Sequence, residues 1–265
     1  FGTINFVTNA YQNKFDKSNN VYKKKTFLVN DLTWSPLNNI TKKGFVNSIE
    51  GAIKNRNYKA KNTDDYKNGS TINEVQSVIA FKSTLPLKKD GINYSNIFSP
   101  KYMIRYAPGH MRDLGSSDGS FNYNNLYSLN KTSEIENGLS AILGFDFKTN
   151  KKTTDNNEMQ KFSMSLGQVF SLKENTDLPV ASSLNEKTSD VVGEISYNFS
   201  EISTISYKFA LDQNLNDLVN NEISTILDFG ALAFNLDYLE QNKHRGKEHY
   251  VSPGITLNYK DNSKF

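Results

Sequence analysis

The residues that could carry chemistry are few. His244 and His249 stand five apart in a Lys/Arg-rich stretch, and His110 is isolated in Ala107-Pro108-Gly109-His110. Two metal-binding imidazoles on one helical face need a separation of about four residues, so the spacing is wrong for a shared ion. The chain has no Cys, which removes thiolate metal sites, cysteine nucleophiles and disulfides together. No Gly-x-Ser-x-Gly elbow, phosphate loop or dinucleotide fingerprint is present. Asp64-Asp65 and Glu134/Glu136 are the acidic pairs from which glycosidase or phospholipase chemistry could be built. Nothing in the sequence brings a partner to them, and they read as solvated charge in loops or at loop–strand borders. No enzyme, metal or cofactor is expected.

Charge is equally uninformative about partners. Across 265 residues, 31 Lys+Arg face 28 Asp+Glu, a formal net charge of +3. The basic spots Lys23-Lys24-Lys25, Lys42-Lys43, Lys88-Lys89 and Lys151-Lys152 are scattered, and they read as solvated loop tips. A nucleic-acid surface would need them concentrated on one face. The hydrophobic share is 37%, low for a domain with a two-sided core, yet aromatics reach 12%. A disordered chain would lack those aromatics. No run approaches the ~18 apolar residues of a spanning helix. No signal peptide is visible at Phe1-Gly2-Thr3-Ile4, which is consistent with a fragment or a mature product.

The dominant pattern is alternation over runs of about ten residues, which places successive side chains on opposite faces of a strand. Phe162, Met164, Leu166 and Phe170 oppose Ser163, Ser165, Gly167 and Ser171, with Gln168 interrupting the apolar side. The pattern recurs in Leu143, Phe145 and Phe147 against Gly144, Asp146 and Lys148. It appears again in Tyr207 and Phe209 against Ser206 and Lys208, and in Phe234, Leu236 and Tyr238 against Asn235 and Asp237. Clusters at Lys61–Ser70, Lys88–Gly91, Asn150–Asn157 and Gln241–Lys247 read as turns and loops. The stretch around Phe45, Ile49 and Ile53 fits a helix period as well as a strand period, and the nearby Gly44 and Gly51 favour strand. Roughly a dozen strands result, in an up-and-down meander.

Alternation describes a soluble sandwich and a membrane barrel equally, one being the other turned inside out. The runs are long for a sandwich, whose strands average about 5–6 residues. Their polar faces carry Ser, Gly, Asn and Asp, and their apolar faces hold almost no charge. A lipid-facing Lys or Arg at mid-bilayer costs ~2–4 kcal/mol, so such cleanliness suits a barrel exterior. Aromatics at strand ends, such as Tyr197 and Phe199, could form interfacial girdles. The expected fold is therefore all-β: an antiparallel up-and-down transmembrane barrel, present here as a partial barrel. Ser163, Ser165, Ser206, Lys208, Asn235 and Asp237 are expected on the lumen face, and Phe162, Leu166, Phe209 and Leu236 on the lipid face. Asp at Leu166 or Phe209 should block assembly, whereas Asp at Ser165 should be tolerated. Pro100 and Pro108 bracket a strand as turn boundaries, and Pro253 marks a bulge or an edge.

From about Leu85 to Leu257 a family resemblance runs through the chain. Pro100-Lys101-Tyr102-Met103-Ile104-Arg105-Tyr106-Ala107-Pro108 resembles a Pro-bounded barrel strand of the LptD family, the lipopolysaccharide-assembly or organic solvent tolerance proteins. Asn125-Leu126-Tyr127-Ser128-Leu129-Asn130, followed by Glu134-Ile135-Glu136-Asn137-Gly138, is similar to that family's Asn-Leu-Phe, Asn-Arg-Phe and Asp-Arg-x-Glu-x-Gly sequence. Gly167-Gln168-Val169-Phe170 resembles its Gly-Gln-aromatic strand, Ser189-Asp190 its Ser-Asp, and Asn221-Glu222 the opening of a later strand. Lys131-Thr132-Ser133 and Ile135 depart from the pattern, and the first 80 residues match only in texture.

The resemblance implies an outer-membrane translocon that inserts lipopolysaccharide into the outer leaflet without catalysis. Its implied partners are outer-membrane lipids, an LptE-like plug lipoprotein and an LptA-like periplasmic bridge. It implies a parent barrel of about 26 strands, of which residues 1–265 would be one partial barrel domain lacking the N-terminal jellyroll and closing strands. Two other readings stay open: a general porin or ligand-specific channel, marked by a constriction loop with clustered charges, and a soluble β-rich binding module.

Overall fold

The computed structural model describes residues 2–17, 21–63, 66–115, 121–152, 158–200 and 202–257. Among them the strands are β1 (Thr3–Lys17), β2 (Val21–Ser35), β3 (Asn39–Ile40), β4 (Val46–Lys61), β5 (Thr71–Thr84), β6 (Leu87–Asp90) and β7 (Tyr94–Ala107). There follow a short helix α1 (Tyr123–Leu126), then β8 (Gly138–Lys152), β9 (Glu158–Ser171), β10 (Val191–Ser200), β11 (Ser203–Leu211), β12 (Leu218–Asp228), β13 (Leu232–Gln241) and β14 (Glu248–Leu257). They form one antiparallel sheet whose path runs β1-β2-β4-β5-β7-β8-β9-β10-β11-β12-β13-β14, with β3 on β4 and β6 on β7. Twelve strands thus make an open barrel wall in chain order, with β1 and β14 at its edges.

The ambiguous stretch after Gly44 is strand: within Val46–Lys61, residues 46–59 pair with β5. The early strands reach 14–16 residues, longer than their alternating runs, because pairing continues where the side-chain pattern lapses. Some of the expected loop positions are strand for the same reason. Lys23-Lys24-Lys25 lies within β2, Lys88-Lys89 within β6 and Lys151-Lys152 at the end of β8.

Pro100 is not a turn boundary but the seventh residue of β7, opposite Phe145. Before it β7 pairs with β6, through Leu87 and Phe98, and after it with β5, through Lys101 and Thr84. The Pro100 carbonyl accepts from Leu85 N at 3.1 Å, so the ring nitrogen faces the gap where one partner strand gives way to the next. The missing N–H therefore removes no ladder bond. Pro108 follows β7 directly, and Pro253 pairs with Leu236 in edge strand β14 without a register shift. Edge placement, not a bulge, accommodates Pro253.

The connections are asymmetric. The long segments 108–137 and 172–190 both leave from the end of the wall where β7 and β9 finish, whereas tight connections such as 229–231 lie at the other end. The described residues of both long segments fold back onto the same face of the sheet. They bury Met111, Leu114, Phe121, Leu126, Leu178 and Leu184 against Met103, Ile142, Val169, Val192, Ala210 and Val219. Among the described residues the largest core therefore lies between the wall and its own infolded loops.

Candidate functional site

Registers divide the wall into two faces. Ser163, Ser165, Ser206, Lys208, Asn235 and Asp237 share the face covered by the infolded loops: Ser165 is opposite Asp146 and Glu194, Ser206 opposite Ser196 and Ser224, Lys208 opposite Glu194 and Glu222, and Asp237 opposite Ser224. Phe162, Leu166, Phe209 and Leu236 share the other face, opposite Tyr197, Gly193, Gly193 and Thr225.

The inner face is a hydrogen-bonded polar field. Asp146 accepts from the Tyr123 hydroxyl and from Ser165 Oγ and pairs with Lys101, which ties α1 to three strands. Burial, reinforced for both by the Asp146 carboxylate, pushes the phenols of Tyr123 and Tyr127 well above the ordinary tyrosine range. Lys208 pairs with Glu222 at 3.2 Å, and Ser224 donates to Asp237. A cavity of about 510 Å³ remains between the Phe121–Asn124 segment and β10–β13, with Glu194, Lys208, Glu222 and Arg245 in its wall.

The outer face has the opposite chemistry. Ile79, Ile104, Leu143, Phe199, Leu236, Val251 and Ile255 are all exposed, and among the described residues no second layer covers them. On β1–β5 this apolar band stops at a row of amides: Thr8 Oγ1 donates to Asn30, Asn30 to Asn55 at 3.2 Å, and Asn55 to Asn73. On β11–β13 it stops, toward the same end of the wall, at Tyr207, Asn221, Tyr238 and Glu240, which hydrogen-bond to one another.

Glu134 and Glu136 are not solvated. Both are buried, and they clamp the 108–137 segment to the wall. Glu134 pairs with Arg56 at 2.6 Å, and Arg56 and Arg112 both meet Glu74. Glu136 accepts the backbone N–H groups of Lys131 and Thr132 through one oxygen and faces Lys131 Nζ and Arg105 Nη2 with the other. Arg105 also donates to the carbonyls of Leu129 and Glu136 at 2.6 and 2.7 Å. The cations come from β4 and β7, far away in sequence, which is why sequence spacing did not connect them. The available signal was Arg105, a charge at an inward position of the run Met103–Tyr106. Asp64-Asp65 lies outside the described residues, and His110 is exposed. Among the described residues no group of three or more His, Asp or Glu could hold a metal ion.

The family model described as LPS transport system D, LptD, matches residues 3–253. The chain belongs to the LptD family. None of the curated proteins matches it. The match covers nearly the whole chain, including the early strands whose sequence agreed with the family only in texture.

The residues that resemble LptD motifs in sequence hold the infolded segments in place. Asn125 closes a capping box with Asn122 and donates to the Lys131 carbonyl at 3.0 Å. Leu126 is fully buried against Gly167, Tyr127 stands over Gly144, and the Asn130 carbonyl accepts from Ser128 Oγ. Gly138, at φ +104°, turns the chain into β8 in a conformation L side chains avoid. Gln168 Nε2 donates to the Ser189 carbonyl at 2.8 Å, and Ser189 Oγ accepts from Val169 N at 3.0 Å. Asp190, buried, holds His244 at 2.9 Å and Arg245 at 3.3 Å. These residues thus fasten the two long loops to the wall and to the β13–β14 turn.

Proposed function

We propose that this chain is a wall segment of an outer-membrane translocon that passes lipopolysaccharide into the outer leaflet, with its outer face against acyl chains and its inner face lining a wet route. The observation that carries the reading is the pair of opposed faces, one uncovered and apolar, the other polar and ion-paired, in a member of a lipopolysaccharide-transport family. An amphiphile with a charged sugar head and acyl tails needs both environments along one path. Closure of the wall into a wider barrel would pair the β1 and β14 edges, as hydrocarbon demands, since each unpaired backbone group there costs several kcal/mol. No bond of the cargo has to change, so the route needs no catalytic group.

On this reading Ser163, Ser165, Ser206, Lys208, Asn235 and Asp237 border the lumen, and Phe162, Leu166, Phe209 and Leu236 border lipid. The amide row at Asn30, Asn55 and Asn73 marks the upper limit of the hydrocarbon. The end bearing the long loops is the cell surface, since such barrels carry long loops outside and short turns inside. The partners assigned are lipopolysaccharide, outer-membrane lipids, a plug lipoprotein of the LptE kind and a periplasmic bridge of the LptA kind. Residues 1–265 serve as one barrel-wall domain.

A channel with a charged constriction loop is the closest rival, because segment 108–137 is infolded and charged. Three of its described charges, however, point into the wall: Lys131, Glu134 and Glu136 are each at most 6% exposed, which suits a clamp better than a constriction. Depletion of the protein followed by surface labelling of lipopolysaccharide tests the assignment. Loss of surface label is expected; unchanged label with lost solute uptake would establish the channel instead.

A further inference from the structure

At the long-loop end of the wall a second cavity, of about 340 Å³, lies where the two infolded segments meet the ends of β7, β8 and β9. Arg105, Lys131 and Lys173 are part of its wall, together with the carboxylates of Glu136 and Glu174 and the hydroxyls of Ser140 and Ser171. Tyr106, Leu139 and Leu172, all exposed, continue this wall to the outer face.

The charges in the floor do not balance. Arg105 and Lys131, 1% and 4% exposed, share a single carboxylate, that of Glu136. One Glu136 oxygen is committed to the backbone amides of Lys131 and Thr132, and the other lies 3.5 Å from Lys131 Nζ and 3.6 Å from Arg105 Nη2. A charge-assisted N–H···O bond is ordinarily about 2.7–2.9 Å long, so neither cation is fully satisfied. Arg105 Nη2 has no hydrogen-bond partner at all, although the other guanidinium nitrogens are used. Burial, only partly opposed by Glu136, pushes the Lys131 ammonium below the ordinary lysine range. A buried cation left without its partner is among the costlier states of a protein interior, and a cavity beside it invites the missing negative charge.

We propose that this cavity is an oxyanion site in which Arg105 Nη2 and Lys131 Nζ bind a phosphate group. The unpartnered Arg105 Nη2 and an adjacent ammonium match phosphate oxygens, and the hydroxyls of Ser140 and Ser171 supply neutral donors beside them. The apolar rim at Tyr106, Leu139 and Leu172 suits a phosphate borne on a lipid head group, and the same donors accept free phosphate. The site stands independently of the translocon reading, because its recognition chemistry is local.

The test is calorimetric titration of the full chain, folded in detergent micelles, with inorganic phosphate at constant ionic strength. Saturable one-to-one binding is expected, weakened at least about tenfold, or ~1.4 kcal/mol, by Lys131→Met and retained in Lys131→Arg. Absence of saturable binding to the unaltered chain, or equal binding by Lys131→Met, overturns the proposal. Should Lys131→Met not fold, thermal stabilisation of the unaltered chain decides: phosphate must raise the melting temperature above that in chloride of equal ionic strength, and equal melting overturns the site. Competition with a diphosphorylated glucosamine-disaccharide lipid and its dephosphorylated form identifies the source. Displacement of phosphate by the phosphorylated lipid alone assigns a lipid head group, and displacement by neither assigns a free anion; both uphold the oxyanion site, whereas equal displacement by both lipids overturns it.

Discussion

Gly144 on β8 and Gly167 on β9 stand directly opposite each other on the inner face, and the space two side chains would have filled is taken by Leu126 and Tyr127. A Cβ on Gly167 would collide with the Leu126 side chain and the Leu143 carbonyl, and one on Gly144 with the Leu166 carbonyl. The pair is a socket for the infolded helix, which at four residues is too short to hold itself.

Gly167→Val should therefore expel α1 and strain the β8–β9 pairing at Leu143. Overpacking of this kind costs about 1–3 kcal/mol, and limited trypsin digestion should cut faster after Arg112 and Lys131. Unchanged cleavage would show that the loop does not depend on the socket.

Glu136→Gln leaves Arg105 and Lys131 buried without a countercharge. Breaking a buried pair by removing one partner costs about 3–5 kcal/mol. Denaturant unfolding in micelles should show a loss of that order, and Lys131→Met in the same chain should restore part of it. If the double change is no better than the single one, the two groups are not coupled.

The two faces should respond oppositely to a carboxylate. Leu166→Asp and Phe209→Asp should block membrane assembly, because a lipid-facing charge is destabilising, by ~2–4 kcal/mol for Lys or Arg at mid-bilayer and by less for Asp. Ser165 is a poor control, because its hydroxyl lies 2.9 Å from Asp146 and a second carboxylate there would repel. Ser163, opposite Lys148, is the better position, and Ser163→Asp should assemble normally. Heat-modifiable mobility on a gel reads the outcome, and equal behaviour of both classes would reject the face assignment.

Alkaline pH should loosen the same loop. Tyr123 and Tyr127 are held protonated in the folded chain, so their contribution is complete below the ordinary phenol value of 10.0 and is lost as pH rises above it, when only the unfolded chain ionises. The doubly substituted Tyr123→Phe, Tyr127→Phe chain should show a shallower fall in stability above that pH, measured by denaturant unfolding at successive pH values. Parallel curves would remove these phenols from the linkage.

How much of this was legible in the sequence depends on the range of the interaction. Alternation placed Phe162, Leu166 and Phe209 opposite Ser163, Ser165 and Lys208 because a strand has a period of two, a purely local property. The same local reading treated Glu134 and Glu136 as solvated and Lys23-Lys24-Lys25 as a loop tip. The partners of those acids, Arg56 and Arg105, arrive from other strands, and β2 continues through its lysines because neighbours on both sides keep its ladder paired.

The sequence by itself determined the strands, their up-and-down order and the two chemistries of the wall, since each follows from residues adjacent in the chain. Only the tertiary structure decided that segments 108–137 and 172–190 turn inward, that the inner face carries an apolar patch for them, and that Arg105, Lys131 and Glu136 meet in one buried cluster. Loop docking of this kind rests on contacts between residues distant in sequence, and no periodicity records them.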